Sequence, residues 1–176
     1  HDNAGAQRPM RMGMLASRLA EEGHEVTWWT SSFDHYGRSQ RDTRGGLREV
    51  DELYSIRYIP APSYKKNLSI ARLFHDWILA RRFLKLAHPD ENPPDVILAS
   101  LPSPGLAWAA VRFGERTGVP VVVDVRDLWP DVIYDHVPRA LGPLARLALR
   151  RMQLTTARAC AGAQAIVGVT EPFVDW

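Results

Sequence analysis

The stretch Val121-Val122-Val123-Asp124-Val125-Arg126-Asp127-Leu128-Trp129-Pro130-Asp131 decides the fold. An apolar, β-branched run ends abruptly in Arg-Asp, then Leu-Trp-Pro. A short continuous apolar run of this kind is what a strand buried on both faces requires. Parallel sheets covered by helices supply that burial. In open sheets of that class, ligands bind beyond the carboxyl ends of the strands. The run therefore reads as a buried parallel strand that delivers Arg126 and Asp127 to the edge where this architecture does its chemistry.

Asp95–Ser100 and Ala165–Thr170 share the near-continuous apolar character. Glu25–Thr30 reads as a fourth strand and Ser55–Ile59 as a weaker fifth. Helical periodicity predicts helices over Arg8–Glu22, Ser69–Ala87, Gly105–Thr117 and Pro143–Ala161. Gly23 and Gly118 stand where helix C-caps belong. Alternating strands and helices define an α/β fold, a Rossmann-like doubly wound parallel sheet. Such a domain begins with a strand, then a glycine-bearing loop, then a helix. Here the loop (His1–Gln7) and the helix come first, so a strand is expected just upstream of His1. Residues 36–53 are polar and read as a mobile loop or a hairpin.

Composition narrows the class. The chain has 176 residues, 45% apolar and 24% charged, which suits one soluble α/β domain with a real core. A single cysteine, Cys160, rules out a disulfide framework and fits a reducing, cytoplasmic setting. It reads as a small helix-packing residue. No apolar run approaches the roughly 20 residues that span a bilayer, and no signal peptide is visible. A net charge of +2 is too mild to argue for nucleic acid. The six histidines are scattered without ligand spacing, so no metal is expected.

Four loops carry candidate chemistry. In Asp2–Pro9, Gly5 permits close backbone approach, and Pro9 suits a first helical turn whose free N–H groups attract phosphate. The alternative is a plain connection, and the loop is no G-x-G-x-x-G fingerprint. After the central strand, Asp127 can accept a proton or hold a hydroxyl, while Arg126 binds an anion or orients Asp127. The alternative is a structural salt bridge, with Trp129 and Pro130 as packing. Asp124, earlier on the strand, reads as a structural hydrogen-bonding residue. In Ser31–His35, His35 is either a site histidine titrating near neutrality or an exposed loop residue. Ser100–Gly105 shapes a pocket wall through Ser103 rather than supplying a nucleophile.

The segment Tyr64–His88 holds Lys65, Lys66, Arg72, Arg81, Arg82 and Lys85 against one acid, Asp76. Ile70, Leu73, Phe74, Trp77, Ile78 and Leu84 recur at helical spacing. This is either a helix lying in a membrane interface or a sheet-covering helix with its apolar stripe in the core. The charge bias favours the membrane. Between Asp135 and Glu171 there is again no acid, while Arg139, Arg146, Arg150, Arg151 and Arg158 are present. Such a basic face suits anionic lipid headgroups or pyrophosphate.

In order along the chain, five elements resemble the N-terminal domain of bacterial family 4 glycosyltransferases, which have the GT-B fold. They are Gly23-His24-Glu25-Val26, Ser31-Ser32-Phe33-Asp34-His35, Pro94-Asp95-Val96-Ile97, Val125-Arg126-Asp127-Leu128-Trp129-Pro130 and Ala163–Glu171. The closest resemblance is to enzymes that build O-antigen, capsule or colanic-acid-type polysaccharide. The resemblance implies that residues 1–176 form the acceptor-binding domain, and that a C-terminal domain, absent from this chain, binds the donor. It implies retaining, metal-independent transfer from a nucleotide-diphospho-sugar, without a cofactor, to a polyprenyl-diphosphate-linked acceptor. The enzyme would then be cytoplasmic, peripheral on the inner face of the membrane, with no nucleic-acid partner. Asp127 and Arg126 are the expected catalytic residues. Gly5, Ala6, Arg8, His35, Ser103 and Trp129 are expected to bind substrate. Lys65, Lys66, Arg72, Trp77, Arg81, Arg82 and Lys85 are expected to bind the membrane. The family's commoner glycine pair is Gly5-Ala6 here, and Arg126-Asp127 stands where many members carry a histidine. By itself the chain is expected to be inactive. The alternatives are a non-catalytic Rossmann-like domain for a nucleotide or phospho-ligand, and another GT-B enzyme such as a sugar-nucleotide epimerase.

Overall fold

The computed structural model describes residues 11–41, 45–66, 69–88, 93–128, 131, 142–171 and 173. The chain forms two compact units, divided between His75 and Asp76. In the first, α1 (Arg11–Glu21) leads into β1 (Val26–Ser31). A two-residue pairing of β2 (Phe33–Asp34) with β3 (Ser39–Gln40) follows. Then come β4 (Gly46–Glu49) and β5 (Tyr54–Ile59). Strand β5 lies at the centre, parallel to β1 and antiparallel to β4. Residues 36–53, read as loop or hairpin, thus include a regular antiparallel strand. Ala16 and Ala20 of α1 close over Tyr54, Ile56 and Tyr58, with Val26 and Trp28 beside them. Small residues on the helix let it approach the bulky strand side chains.

The second unit is all parallel. α2 (Ile70–Leu86) continues into it, followed by β6 (Ile97–Ser100), α3 (Pro104–Thr117), β7 (Val121–Val125), α4 (Gly142–Ala161) and β8 (Ala165–Gly168). β7 pairs in parallel with β6 on one edge and β8 on the other. Its Val121, Val123 and Val125 are sealed from solvent, and Asp124 on the opposite face is nearly so. The strand is buried because it has a neighbour on each edge and cover on its faces. β6 and β8 depart from the expectation of two-sided burial. Leu98 on β6, and Ile166 and Val167 on β8, are exposed. These are the outer strands of the three, and in each the apolar run exceeds what the described residues cover.

α3 shows why the layers sit closely. Gly114 has no room for a side chain: a Cβ there would lie 2.5 Å from both the Val119 carbonyl and Val121 Cγ2. Gly118 ends the helix in the left-handed region at φ 76° and donates its N–H to the Gly114 carbonyl. This is the expected C-cap. Cys160 of α4 is half-buried, and burial pushes its thiol up, consistent with packing rather than reactivity. The two glycines separate steric from conformational cost. Gly114→Ala should lower the unfolding free energy by about 2–4 kcal/mol through overpacking. Gly118→Ala should cost only about 1 kcal/mol, the penalty of a left-handed alanine. Urea unfolding checks both, and equal losses would contradict this packing.

Candidate functional site

Two groups of side chains gather at carboxyl ends of strands, one in each unit. In the second unit, β7 runs straight into Arg126 and Asp127. Its last turns are tied to β6: the Leu101 amide donates to the Asp124 carbonyl at 2.9 Å, and Ser100 Oγ lies 3.4 Å from Asp124 Oδ2. The Asp124 carboxylate is thus engaged inside the sheet. Arg126 is half-buried and Asp127 exposed. They form no salt bridge with each other, and neither has a hydrogen bond or ion pair among the described residues. The structural-bridge alternative therefore does not hold. An arginine and a carboxylate that no described group engages, at a strand end, suit a ligand.

Ser103 is not left unspent. It precedes α3 but makes no side-chain cap to it. Its hydroxyl instead donates to Asp76 Oδ1 of α2 at 3.0 Å. Nearby, Gly105 lets the helices come close, since a Cβ would stand 3.2 Å from the Asp76 carbonyl. Ser103 thus fastens α2 to α3. Gly5, Ala6, Arg8 and Trp129 lie outside the described residues.

In the first unit, β1 ends in a loop rich in hydrogen bonds. Ser32, fully buried, donates to Gln40 Oε1 at 3.1 Å and accepts the Ala61 amide at 3.2 Å. Gln40 Nε2 donates to the Ala61 carbonyl at 3.0 Å. This small network welds the loop after β1 to the one after β5. Asp34 accepts the Tyr36 amide at 2.9 Å and pairs with Arg41 at 3.0 Å. Burial alone would raise its pKa, but hydrogen bonds from the Gly37 amide, Arg41 and the Tyr36 amide outweigh it and hold the carboxyl low.

On that platform sits a ring cluster. His35 Nδ1 lies 2.7 Å from the Tyr64 hydroxyl. The Tyr64 ring meets Phe33 at 4.9 Å and His75 at 5.0 Å between centroids. His75, buried on α2, has Nδ1 at 2.6 Å from the Pro62 carbonyl. A carbonyl only accepts, so Nδ1 carries the proton. Arg72 lies over the Tyr64 ring at 5.8 Å, and the Arg38 guanidinium donates to the Lys65 carbonyl. Burial, then the charges of Arg72 and Arg38, lower the pKa of His35, against a weaker opposing pull from Asp34. Burial, then Arg72 and His35, lower that of His75, against its bond to Pro62. His35 was legible as a candidate from its strand-end position. Tyr64 and His75 were not: in sequence their segment is marked by its basic charge and apolar stripe, and only the fold brings them to the end of β1.

The apolar stripe of α2 divides in two. Leu79 and Phe83 are buried, with Phe83 6.1 Å from the Phe113 ring. Ile70, Leu73, Phe74 and Trp77 face out, Ile70 at 85% and Trp77 at 52% exposure. The alternative of a stripe wholly in the core is thus corrected: this helix has a second, outward apolar face. Arg81 stacks on Trp77 at 4.9 Å, and Lys65, Lys66, Arg82 and Lys85 are exposed. Among the described residues no helix is long and apolar enough to cross a membrane, and no three His, Cys, Asp or Glu side chains group as a metal site.

Parallel strands, helical connections and charged residues at the strand ends define a Rossmann-like α/β domain. Residues 9–176 match the glycosyl transferase 4-like domain, and the chain belongs to that family. No curated protein matches it.

The histidines set a pH dependence. Both bind protons less readily folded than unfolded, where the ordinary value is 6.5. As pH falls through that value, the unfolded chain takes up protons first, so stability is complete above it and declines below. Asp34 adds a loss at more acid pH, as its lowered folded value is crossed. Unfolding free energy should therefore fall between about pH 7 and 5, and His75→Asn should flatten that slope. An unchanged slope in the variant would contradict the assignment.

Proposed function

We propose that this chain is the acceptor-binding N-terminal domain of a membrane-associated glycosyltransferase. The observation that carries the reading is the pair Arg126–Asp127. It stands at the carboxyl end of a strand flanked on both edges, and neither residue is engaged by any described group. In this reading the enzyme moves a sugar, with retention and without a metal or cofactor, from a nucleotide-diphospho-sugar. The acceptor is a polyprenyl-diphosphate-linked sugar in cell-surface polysaccharide synthesis. Asp127 holds the attacking hydroxyl or takes its proton, and Arg126 meets anionic charge or orients Asp127. Gly5, Ala6, Arg8 and Trp129 bind substrate in this reading, the Gly5 loop serving the donor's diphosphate or the transferred sugar.

The outward face of α2 supports the membrane part. Ile70, Leu73, Phe74 and Trp77 follow i, i+3, i+4, i+7 spacing, which makes one stripe. Their neighbours are basic, the combination that seats a helix in an anionic interface. The protein would then work at the inner face of the cytoplasmic membrane.

In the full-length protein, Arg126→Ala and Asp127→Asn should each lower sugar transfer by about 100-fold. The thermal midpoint should move by no more than about 2 °C. Full turnover in either variant would remove the pair from the mechanism. Binding to anionic vesicles should weaken when Lys65, Lys66, Arg81, Arg82 and Lys85 are neutralised, and it should weaken likewise in high salt. Trp77→Ala should weaken it separately, by loss of buried apolar area. Salt-independent binding would overturn the electrostatic part.

A further inference from the structure

Helix α4 has two unlike sides. Thr156 and Ala159 are buried, and Leu149 and Met152 half-buried, so that side packs inward. Gly162, just past the helix end, lets α4 close on α3: a Cβ there would stand 2.6 Å from Val111 Cγ1. The opposite side faces out. Leu144 is 66% exposed, Leu147 68% and Leu154 46%. With Arg151 and Arg158 they recur at i, i+3, i+7, i+10 and i+14, which makes one seam down the helix. We propose that this seam docks an acidic amphipathic helix of a partner protein.

Charge selects that partner. Arg146, Arg150, Arg151 and Arg158 are exposed, and no side chain of the four has an ion pair or hydrogen bond among the described residues. No acid occurs anywhere in residues 136–170. Glu115 of α3 comes near the far end of α4, its Oε1 3.5 Å from the Cβ position of Gly162, but it also lies 3.7 Å from Arg112 Nε. Arg112 and Arg116, exposed on α3, add charge of the same sign. Leucines left in water favour an apolar partner. Unpaired guanidinium groups among them favour carboxylates on it.

Spacing separates this partner from a membrane and from a second copy. On α2, Ile70, Leu73, Phe74 and Trp77 make a stripe with no charge inside it, which suits a lipid interface. On α4 the cations stand within the stripe: Arg151 lies between Leu147 and Leu154, and Arg158 one turn beyond. Seating these leucines among acyl chains would draw the guanidinium groups in with them, at a cost. A partner helix with the same repeat of roughly 3.5 residues brings leucine to leucine and glutamate to arginine. A second copy of α4 would bring arginine to arginine, which repels. None of these residues belongs to the strand-end pair or to α2, so the docking face is independent of the transferase reading.

Fluorescence anisotropy of the full-length protein with two labelled, designed helical peptides of three heptads tests this. Both carry leucine at their a and d positions; one has glutamate at e and g, the other lysine. The glutamate peptide should bind and the lysine peptide should not. Leu147→Gln and Arg151→Glu, both at exposed positions, should each weaken binding by about tenfold or more with the thermal midpoint unchanged. Replacing Arg150, Arg151 and Arg158 together by glutamate should reverse the preference to the lysine peptide. Equal binding of the two peptides, binding of neither, or binding that ignores the variants overturns the proposal. So does a dimer of the full-length protein that Leu147→Gln dissociates, which would make the seam a contact between copies. Loss of anionic-vesicle binding in Leu144→Gln/Leu147→Gln would assign the face to lipid and overturn it as well. Failure of the transferase reading shows differently: no sugar transfer, with glutamate-peptide binding intact.

Discussion

Pairing of Val121–Val125 on both edges is the constraint on which the second unit depends. A strand with neighbours on each side and cover on its faces cannot shift register without exposing every valine. That rigidity is transmitted to the residues that follow. Ser100 and Asp124 are register partners, and the Leu101 amide closes on the Asp124 carbonyl. Arg126 and Asp127 therefore leave the sheet from a fixed point. The close seat of α3, which Gly114 permits against Val119 and Val121, holds the same strand from its face.

The two units treat polar groups at their strand ends differently. In the second, buried groups are satisfied locally, and among the described residues nothing engages the half-buried Arg126 or the exposed Asp127 beyond them. In the first, almost every polar atom near the sheet is spent on building. Ser32, Gln40 and Ala61 fix the loops, and Asp34 is consumed by Arg41 and two amides. A hydrogen-bonded platform that presents a few unspent groups is how a loop can be both precise and reactive.

Much of this was legible in sequence because the signals were local. The Val121–Val125 run, the Gly118 cap and the stop at Arg126-Asp127 need only neighbours along the chain. The α2 stripe was legible as a stripe but not by direction. Periodicity reports that Ile70, Leu73, Phe74 and Trp77 share a face with one another, not whether a sheet lies beneath it. Burial of β6 and β8 falls short of the expectation for a related reason: an apolar run does not record what covers each face of the strand. Ser103 looked like a pocket residue because of its strand-end position, yet its hydroxyl serves the Asp76 carboxylate, a contact 27 residues distant. The Tyr64–His75 cluster was hidden most completely, since its parts come from three segments that only the fold unites.

The central claim is that ligand engages the loops at the carboxyl ends of the strands. Hydrogen–deuterium exchange on the full-length protein tests it most directly. The comparison is between vesicles that carry a polyprenyl-diphosphate-linked sugar and the same vesicles without it. Slower exchange at residues 31–41, 61–66 and 126–128 is the predicted result. Protection confined to the helices or to the opposite, amino ends of the strands, with those three loops unchanged, would contradict the account.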